Sequence, residues 1–176
     1  MKIVLITIIG IAAVLALGFL VMRTGQKENV RERTDAVRRD GAFSIFQRQL
    51  DGRPVFAMID MDLRDSPDRQ TLPFFLSLSS PLIDPTSDGL PTRSDADSLN
   101  AWEDAVEAQL RSVGKVAFVG RVTWDGHREL LYYVESQQPA VEALKKLSDS
   151  HVTRSFEFVC ERDEKWKKAE FWLNRP

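Results

Sequence analysis

The segment from residue 121 to residue 129 has the most specific arrangement of polar side chains in the sequence, Arg-Val-Thr-Trp-Asp-Gly-His-Arg-Glu. Its centre, Asp125-Gly126, is typical of a tight turn between two antiparallel strands. Guanidinium groups and an indole ring on such a hairpin suit an anionic or peptide ligand. The residues predicted to bind it are Arg121, Thr123, Trp124, Arg128 and Glu129. Arginine–glutamate pairing inside the fold accounts for the same residues, and the sequence leaves that alternative open.

Paired carboxylates are the second candidate for chemistry. Asp60 and Asp62 alternate along a strand-like run, so their side chains are expected on one face, about 7 Å apart. Carboxylates at that separation can serve as acid and base or bind Mg²⁺. With His127 they define an alternative function, a hydrolase or metal-dependent enzyme, although an ordinary solvent-exposed strand has the same pattern. Three further acids are expected on the solvent side of the first helix of the domain: Glu103, Asp104 and Glu107.

The sequence lacks the other common catalytic patterns. It has two histidines, His127 and His151, and one cysteine, Cys160, none of them in a nucleophile–base or zinc-ligand spacing. Neither a Gly-x-Gly-x-x-Gly nor a Walker pattern is present, so no phosphate-binding loop is expected. The sequence therefore implies no cofactor, no metal and no catalytic residue, and it favours a non-catalytic protein.

The charge balance restricts the partners. Lys and Arg number 24 and Asp and Glu 26, for a net charge of −2. No excess of positive charge attracts the whole molecule to nucleic acid, so none is expected as a partner. One cysteine cannot form an intrachain disulfide, and an apolar core must stabilise the fold. The 176 residues suffice for one domain of ordinary size and a short additional segment.

That additional segment lies at the N-terminus. Residues 3–22 contain no charge and no proline. Twenty helical residues span about 30 Å, the hydrocarbon thickness of a bilayer. A cleaved signal peptide would have a shorter apolar run, and a buried core helix would have a polar stripe. We therefore expect a transmembrane helix over 1–23 that contacts the lipid bilayer through residues 3–22.

Charge beside this helix predicts its orientation. Six Lys and Arg residues follow it within about twenty positions: Arg23, Lys27, Arg31, Arg33, Arg38 and Arg39. The positive-inside rule places such a flank in the cytoplasm. We expect a single-pass protein of the cell's inner (plasma) membrane, with a charged linker over 24–41 and a cytoplasmic domain over 42–176.

Hydropathy patterns in 42–176 predict an α+β domain in the order strand, strand, strand, helix, strand, strand, helix, strand, helix. The first helix is expected to begin at a capping box of Ser94 and Asp97, the second at Pro139 and the last after Asp163. Cys160 is expected in the core. The last four strands and first two helices have the order of a ferredoxin-like βαββαβ unit, with a hairpin before it and a helix after it. We expect two layers, a mostly antiparallel sheet with helices packed on it, and we assign the leading hairpin no position.

Several of these segments resemble a known family, the bacterial domain of unknown function 695. The resemblance runs from about residue 42 to the C-terminus, although the N-terminal anchor and the final Phe-Trp-Leu-Asn-Arg-Pro depart from the family pattern. The segments are Gly89-Leu90-Pro91, Trp102-Glu103-Asp104, Phe118-Val119-Gly120-Arg121-Val122-Thr123, Gly126 with Arg128 and Glu129, Tyr132-Tyr133-Val134, and Asp163-Glu164-Lys165-Trp166. The family is distantly similar to ferredoxin-like regulators of bacterial ribonuclease E. The resemblance implies the architecture and no catalytic residue.

These observations together predict a non-catalytic protein-binding or regulatory module at the cytoplasmic membrane face, with a protein partner that the sequence does not identify. The first alternative is the hydrolase or metal-dependent enzyme. The second, a regulator of RNA processing, follows from the fold analogy alone.

Overall fold

The computed structural model describes residues 42–150 and 154–174, which form a mixed α/β domain. The transmembrane helix predicted over 1–23 and the linker predicted over 24–41 lie outside the described residues. Within the described part, no helix has the length and apolar character needed to cross a bilayer.

Six strands and three helices form this domain. In chain order they are β1 (Phe43–Leu50), β2 (Arg53–Asp60), β3 (Phe74–Pro81), α1 (Arg93–Arg111), β4 (Val116–Trp124), β5 (His127–Val134), α2 (Gln137–Asp149), β6 (Glu157–Arg162) and α3 (Lys167–Leu173). The predicted order is confirmed. Two short 3-10 helices, Met61–Arg64 and Pro67–Gln70, lie between β2 and β3. The strand-like run that was expected to carry both Asp60 and Asp62 ends at Asp60, where the first 3-10 helix begins, so that expectation was wrong.

All six strands belong to one sheet, in the order β1-β2-β4-β5-β3-β6, and every neighbouring pair is antiparallel. Helix α1 connects β3 to β4, which have β5 between them, and α2 connects β5 to β6, which have β3 between them. The leading hairpin extends the sheet beside β4, where β2 pairs from Val55↔Trp124 to Ile59↔Gly120. The sequence had assigned this hairpin no position.

The sheet is covered on both faces. One core cluster packs α1 and α2 residues such as Trp102 and Leu144 against Leu76 and Tyr132, and the other packs α3 residues against Phe75. The expected two-layer arrangement is therefore wrong, because α3 adds a third layer. The physical reason is that β5 is apolar on both faces from Leu130 to Val134, so a cover on one face alone would leave the other in water.

The predicted starts of α1 and α2 were also wrong. Helix α1 is capped by Thr92, whose hydroxyl oxygen accepts a hydrogen bond from the Asp95 amide at 3.4 Å, and not by Ser94. Helix α2 begins at Gln137, two residues before Pro139. Cys160 was expected in the core, and it lies at the edge of it, half-buried and packed against the cluster beneath α1 and α2. Burial raises the pKa of its thiol to about 11, so the thiol is protonated at neutral pH.

Helix α3 is fastened to the sheet by a group of residues that we call the Asp163 cluster, comprising Leu72, Tyr133, Asp163 and Trp166. The Trp166 ring stacks on Tyr133 at 3.8 Å between centroids, and its indole N–H donates to the Leu72 carbonyl at 2.9 Å. The Asp163 carboxylate accepts from the Tyr133 hydroxyl at 2.6 Å and from two backbone amides at the start of α3, at 3.1 and 2.9 Å. The Asp163 side chain thus holds the start of the last helix, but that helix begins at Lys167, with Trp166 at the N-cap position, and not directly after Asp163 as predicted.

Candidate functional site

A β-bulge decides where the predicted ligand-binding residues point. The β4–β5 register shifts between Phe118 and Gly120, so Val119 and Gly120 both lie on the α3 side of the sheet. Strict alternation from Val119 would place Arg121 on that side as well. The bulge turns Arg121 and Thr123 to the opposite side, beneath α1. Gly120 is required here, since a Cβ would lie 2.2 Å from the Met58 carbonyl oxygen.

Beneath the N-terminal half of α1 lies a row of polar side chains, which we call the polar band. Three neighbouring strands contribute directly paired residues, Thr123 from β4, Arg128 from β5 and Ser80 from β3. The whole band consists of Ser80, Asp95, Asn100, Glu103, Arg121, Thr123, Arg128 and Arg154. Its position between helix and sheet removes most of these groups from water.

Glu103 is the centre of one half of the polar band. Its side chain is only 2% exposed, and its Oε2 accepts a hydrogen bond from Arg121 Nη1 at 2.9 Å. The same Arg121 nitrogen lies 3.3 Å from the Asn100 Oδ1. Arg128 Nη1 lies 4.0 Å from Glu103 Oε2, and Arg128 Nε donates to the Thr123 hydroxyl at 2.8 Å. One carboxylate therefore faces two guanidinium groups.

Asp95 and Arg154 form the other half. These side chains are 1% and 5% exposed, and the Arg154 guanidinium donates to the Asp95 carboxylate, to the Ser80 hydroxyl and to the Pro81 carbonyl. Asp95 Oδ2 also accepts from the Ile83 amide at 2.9 Å. Burial opposes ionisation of Asp95, but these hydrogen bonds outweigh it and lower its pKa. The ion pair thus fixes the start of the loop that precedes α1.

Positive charge exceeds negative charge in the polar band. Burial, together with the charges of Arg121 and Arg154, lowers the pKa of Arg128 to about 10, against the opposing effect of Glu103 and Asp95. Arg128 therefore stays protonated at neutral pH. Its side chain is 8% exposed, and its buried Nη1 has no hydrogen-bond acceptor among the described residues. This nitrogen is therefore an unsatisfied hydrogen-bond donor close to two other positive charges, those of Arg121 and Arg154.

The long loop before α1 rests on the tip of the β4–β5 hairpin. The Leu82 amide donates to the Gly126 carbonyl at 2.7 Å, and the Gly126 amide donates to the Gly89 carbonyl at 3.1 Å. Gly89 has φ +74°, and a Cβ on it would lie 3.3 Å from the Gly126 nitrogen. Glycine permits this close approach. The loop also carries Ile83, which is 74% exposed and is the most exposed large apolar residue among those described.

The structure brings three of the five predicted binding residues together. Arg121, Thr123 and Arg128 lie in the polar band, whereas Trp124 and Glu129 lie on the other face of the sheet. Glu129 accepts a hydrogen bond from the Ser77 hydroxyl, and burial raises the pKa of its carboxyl. Internal arginine–glutamate pairing does occur, but the partner is Glu103 and not Glu129. Ligand binding by these residues stays a prediction.

The residues that hold the arginines were missed. Glu103 was expected on the solvent side of α1, and this expectation is wrong because the residue is 1% exposed. The sequence carries a signal for its burial, since Glu103 lies four residues after Leu99 and three before Val106, on the apolar stripe. No comparable signal marks Asp95 and Arg154, which come from distant parts of the chain.

The alternative acidic site is not assembled as expected. Asp60 Oδ1 accepts from the Asp62 amide at 3.0 Å and caps the 3-10 helix that contains Asp62, so the expectation of two carboxylates on one strand face is wrong. Burial raises the pKa of Asp60. Asp62 Oδ2 accepts from the Ala42 amide at 3.0 Å, and exposed His127 lies against its own turn, 3.1 Å from the Asp125 carbonyl oxygen. Within 42–150 and 154–174, no three His, Cys, Asp or Glu residues are grouped to hold a metal ion.

Comparison with known proteins gives the family and nothing finer. No curated protein and no solved structure matches the chain. The model of a family of unknown function, DUF695, matches residues 43–172, from the first residue of β1 to the last turn of α3. The match takes in α1, the β4–β5 hairpin, the loop that contacts it and the Asp163 cluster. The chain therefore belongs to this family of unknown function, DUF695.

Proposed function

We propose that this chain is a non-catalytic protein-binding or regulatory module. The observation that carries the proposal is the fixed position of Arg121, between Glu103 at 2.9 Å and Asn100 at 3.3 Å, while 27% of its side chain remains exposed. An arginine whose conformation is fixed before binding loses little entropy on contact with a partner, and arginine is enriched at the energetic centres of interfaces.

The loop before α1 supports the same proposal. Exposed Ile83 lies in a segment whose amide is bound by the buried Asp95 carboxylate, and Asp95 is in turn paired with Arg154. A single exposed aliphatic side chain is ordinary on a protein surface. One that is displayed from a loop fixed by a buried ion pair is suited to enter a pocket on a partner.

The hydrolase or metal-enzyme alternative has less support. It requires Asp60, Asp62 and His127 to converge, and the two carboxylates instead accept hydrogen bonds from backbone amides. Mg²⁺ added to the full-length protein tests it directly. A rise in melting temperature that Asp60→Asn abolishes would favour the enzyme over the binding module.

We infer a ferredoxin-like arrangement for residues 74–162. The order β4-β5-β3-β6 and the two helices that each join parallel strands across an intervening strand support it. Regulation of RNA processing follows from this likeness alone, and deletion of the protein in its host, followed by measurement of RNA half-lives, is the test. Unchanged half-lives would remove that alternative.

We further propose that residues 3–22 anchor the module in the inner membrane of a bacterium, with the domain in the cytoplasm. The uncharged run and the six Lys and Arg residues after it support this orientation. Alkaline phosphatase fused after residue 176 should be inactive, and a green fluorescent protein fused there should be bright. Active phosphatase would place the domain on the other side of the membrane.

Crosslinking in the native host tests partner binding. The wild-type chain should capture a specific protein that Arg121→Ala no longer captures. Arg48→Ala is the matched control, because Arg48 lies exposed on the outer strand β1 and away from the polar band. Equal capture by all three proteins, with the domain folded in each, would contradict a role for Arg121.

A further inference from the structure

We propose that the polar band binds a carboxylate group of an acidic protein segment through Arg121 and Arg128. This inference rests on the proposed binding function and gives it a ligand chemistry. It begins from the charge count of the band, which has three guanidinium groups, on Arg121, Arg128 and Arg154, and two carboxylates, on Asp95 and Glu103. One positive charge in a largely buried layer therefore lacks a counter-charge within the band.

The buried donor on Arg128 gives this excess charge a location. Burying a charged donor without an acceptor costs free energy, so native proteins rarely leave one in that state. Arg128 Nη1 is buried without a hydrogen-bond acceptor among the described residues, whereas Nε of the same side chain is bound to Thr123. Arg154, by contrast, donates to four different oxygens, on Ser80, Pro81 and the backbone and side chain of Asp95. The donor that lacks an acceptor therefore lies in the Glu103 half of the band.

Arg121 makes that half accessible. Its side chain is 27% exposed, compared with 8% for Arg128, and both approach Glu103 Oε2, at 2.9 and 4.0 Å. Arg121 is therefore the more solvent-accessible of the two guanidinium groups beside Glu103. Arginine binds carboxylates with a planar fork of donors, and Glu103 already shows a carboxylate oxygen shared by these two side chains.

A singly charged ligand matches the excess of one charge. A carboxylate would neutralise the band, whereas a phosphate group with about two negative charges at neutral pH would leave it negative next to buried Glu103. Further along α1, Glu107 is paired with Arg111 at 2.7 Å, so that acid is balanced by its own partner. The ligand is therefore the side chain of an Asp or Glu, or a chain terminus, of a partner protein.

Fluorescence anisotropy of a labelled glutamate-rich peptide, added to the full-length protein in detergent micelles at low salt, tests this proposal. We expect saturable binding, and none for the same peptide with glutamine in place of glutamate. Losing one charge-assisted hydrogen bond costs about 1.5–3 kcal/mol, so Arg121→Ala should weaken binding by about tenfold or more. Arg48→Ala should bind as the wild type does, because Arg48 lies outside the band.

Two further variants protect the test from a folding artefact. Arg121→Lys keeps the charge at a partly exposed position and should recover part of the affinity, whereas Arg128→Lys should lose affinity while circular dichroism shows a folded domain. Equal binding of the glutamate and glutamine peptides would overturn the proposal. So would unchanged affinity in both Arg121→Ala and Arg128→Lys, or tighter binding of inorganic phosphate than of the glutamate peptide.

Competition identifies the source of the carboxylate. Acetate that displaces the peptide only at a large excess supports a protein ligand. Acetate that binds more tightly than the peptide overturns the assignment to a protein segment and leaves a site for small carboxylic acids. The crosslinking experiment separates the two proposals. If the peptide binds but no partner protein is captured, the proposal of a protein-binding module is contradicted, whereas the proposal of a carboxylate site in the polar band is not.

Discussion

The two faces of the sheet hold two polar clusters of opposite character. The Asp163 cluster, on the α3 side, has one carboxylate, and that carboxylate, the Tyr133 hydroxyl and the Trp166 indole all have partners at 2.6–3.1 Å. The polar band, on the α1 side, has five charged groups and a buried arginine nitrogen that lacks an acceptor within the described residues. Both clusters lie over the same strand, since Tyr133 and Arg128 are in β5.

The difference indicates which cluster stabilises the fold and which is suited to recognition. A cluster with a single carboxylate and with its hydrogen bonds satisfied contributes stability at little electrostatic cost. A buried layer of ion pairs is expensive to desolvate, and apolar residues of similar volume often replace one without loss of stability. We therefore expect substitutions in the Asp163 cluster to have the larger effect on the free energy of unfolding. Substitutions in the polar band should have the larger effect on ligand binding.

The largest effect on stability is expected for Trp166→Ala. The ring is fully buried and stacked on Tyr133, so its removal leaves a cavity and should lower the free energy of unfolding by about 3–5 kcal/mol. Urea unfolding of the full-length protein, followed by circular dichroism, measures the change. Lys165→Ala, at the exposed neighbouring position, should alter it by less than about 0.5 kcal/mol. A small effect of Trp166→Ala would remove the contrast between the clusters.

Glu103→Gln should have the next largest effect. It leaves Arg121 and Arg128 beside each other without their shared carboxylate, at a cost of about 3 kcal/mol. The double variant Glu103→Leu with Arg128→Met removes both buried charges and should be more stable than Glu103→Gln alone. If the double variant proves the less stable of the two, the ion pairs are a source of stability and our comparison of the clusters is wrong.

Two adjacent tyrosines offer a matched pair with a smaller effect. Tyr132 and Tyr133 are both fully buried, but only the Tyr133 hydroxyl has a hydrogen-bond partner among the described residues. Tyr133→Phe should therefore cost about 1 kcal/mol, and Tyr132→Phe should be close to neutral or slightly stabilising. Equal losses in the two variants would indicate that the Tyr132 hydroxyl has an acceptor, such as a bound water.

The smallest expected effect concerns pH. Burial raises the pKa of Glu129 in the folded state above its usual value of 4.5, so the folded state holds a proton that the unfolded state releases. The contribution of Glu129 to stability should therefore be fully present below pH 4.5 and be lost as pH rises toward its folded-state pKa. Glu129→Gln removes this fall and should raise the melting temperature at pH 7 relative to wild type, but not at pH 4. Identical differences at both pH values would contradict the raised pKa.

Local patterns predicted the sheet well. Both hairpins turn at an Asp-Gly dipeptide, the residue pair typical of a tight turn, and Asp51, Gly52, Asp125 and Gly126 all adopt positive φ, as the preferred two-residue turn requires. The element order follows from hydropathy periods of two and of about 3.6 residues, which depend only on neighbours in the sequence.

The remaining features depend on contacts that no local pattern records. The bulge at Val119 reverses the alternation of β4, so the faces of Arg121 and Trp124 could not be assigned by counting residues. Burial of Glu103 depends on two arginines that lie 18 and 25 residues further along the chain. The placement of α3 on its own face of the sheet depends on Trp166, whose indole bonds to Leu72, 94 residues earlier.

That long-range bond also sets an order of events during synthesis. A ribosome makes the chain from the N-terminus, so β1 to β5 and the helix α1 precede Trp166 by at least 32 residues. The α1 side of the sheet can close while the α3 side still presents Phe75, Tyr133 and Leu131 to water. A nascent chain stalled after Arg162 should therefore be bound by chaperones that recognise apolar surface, and the completed chain should be released.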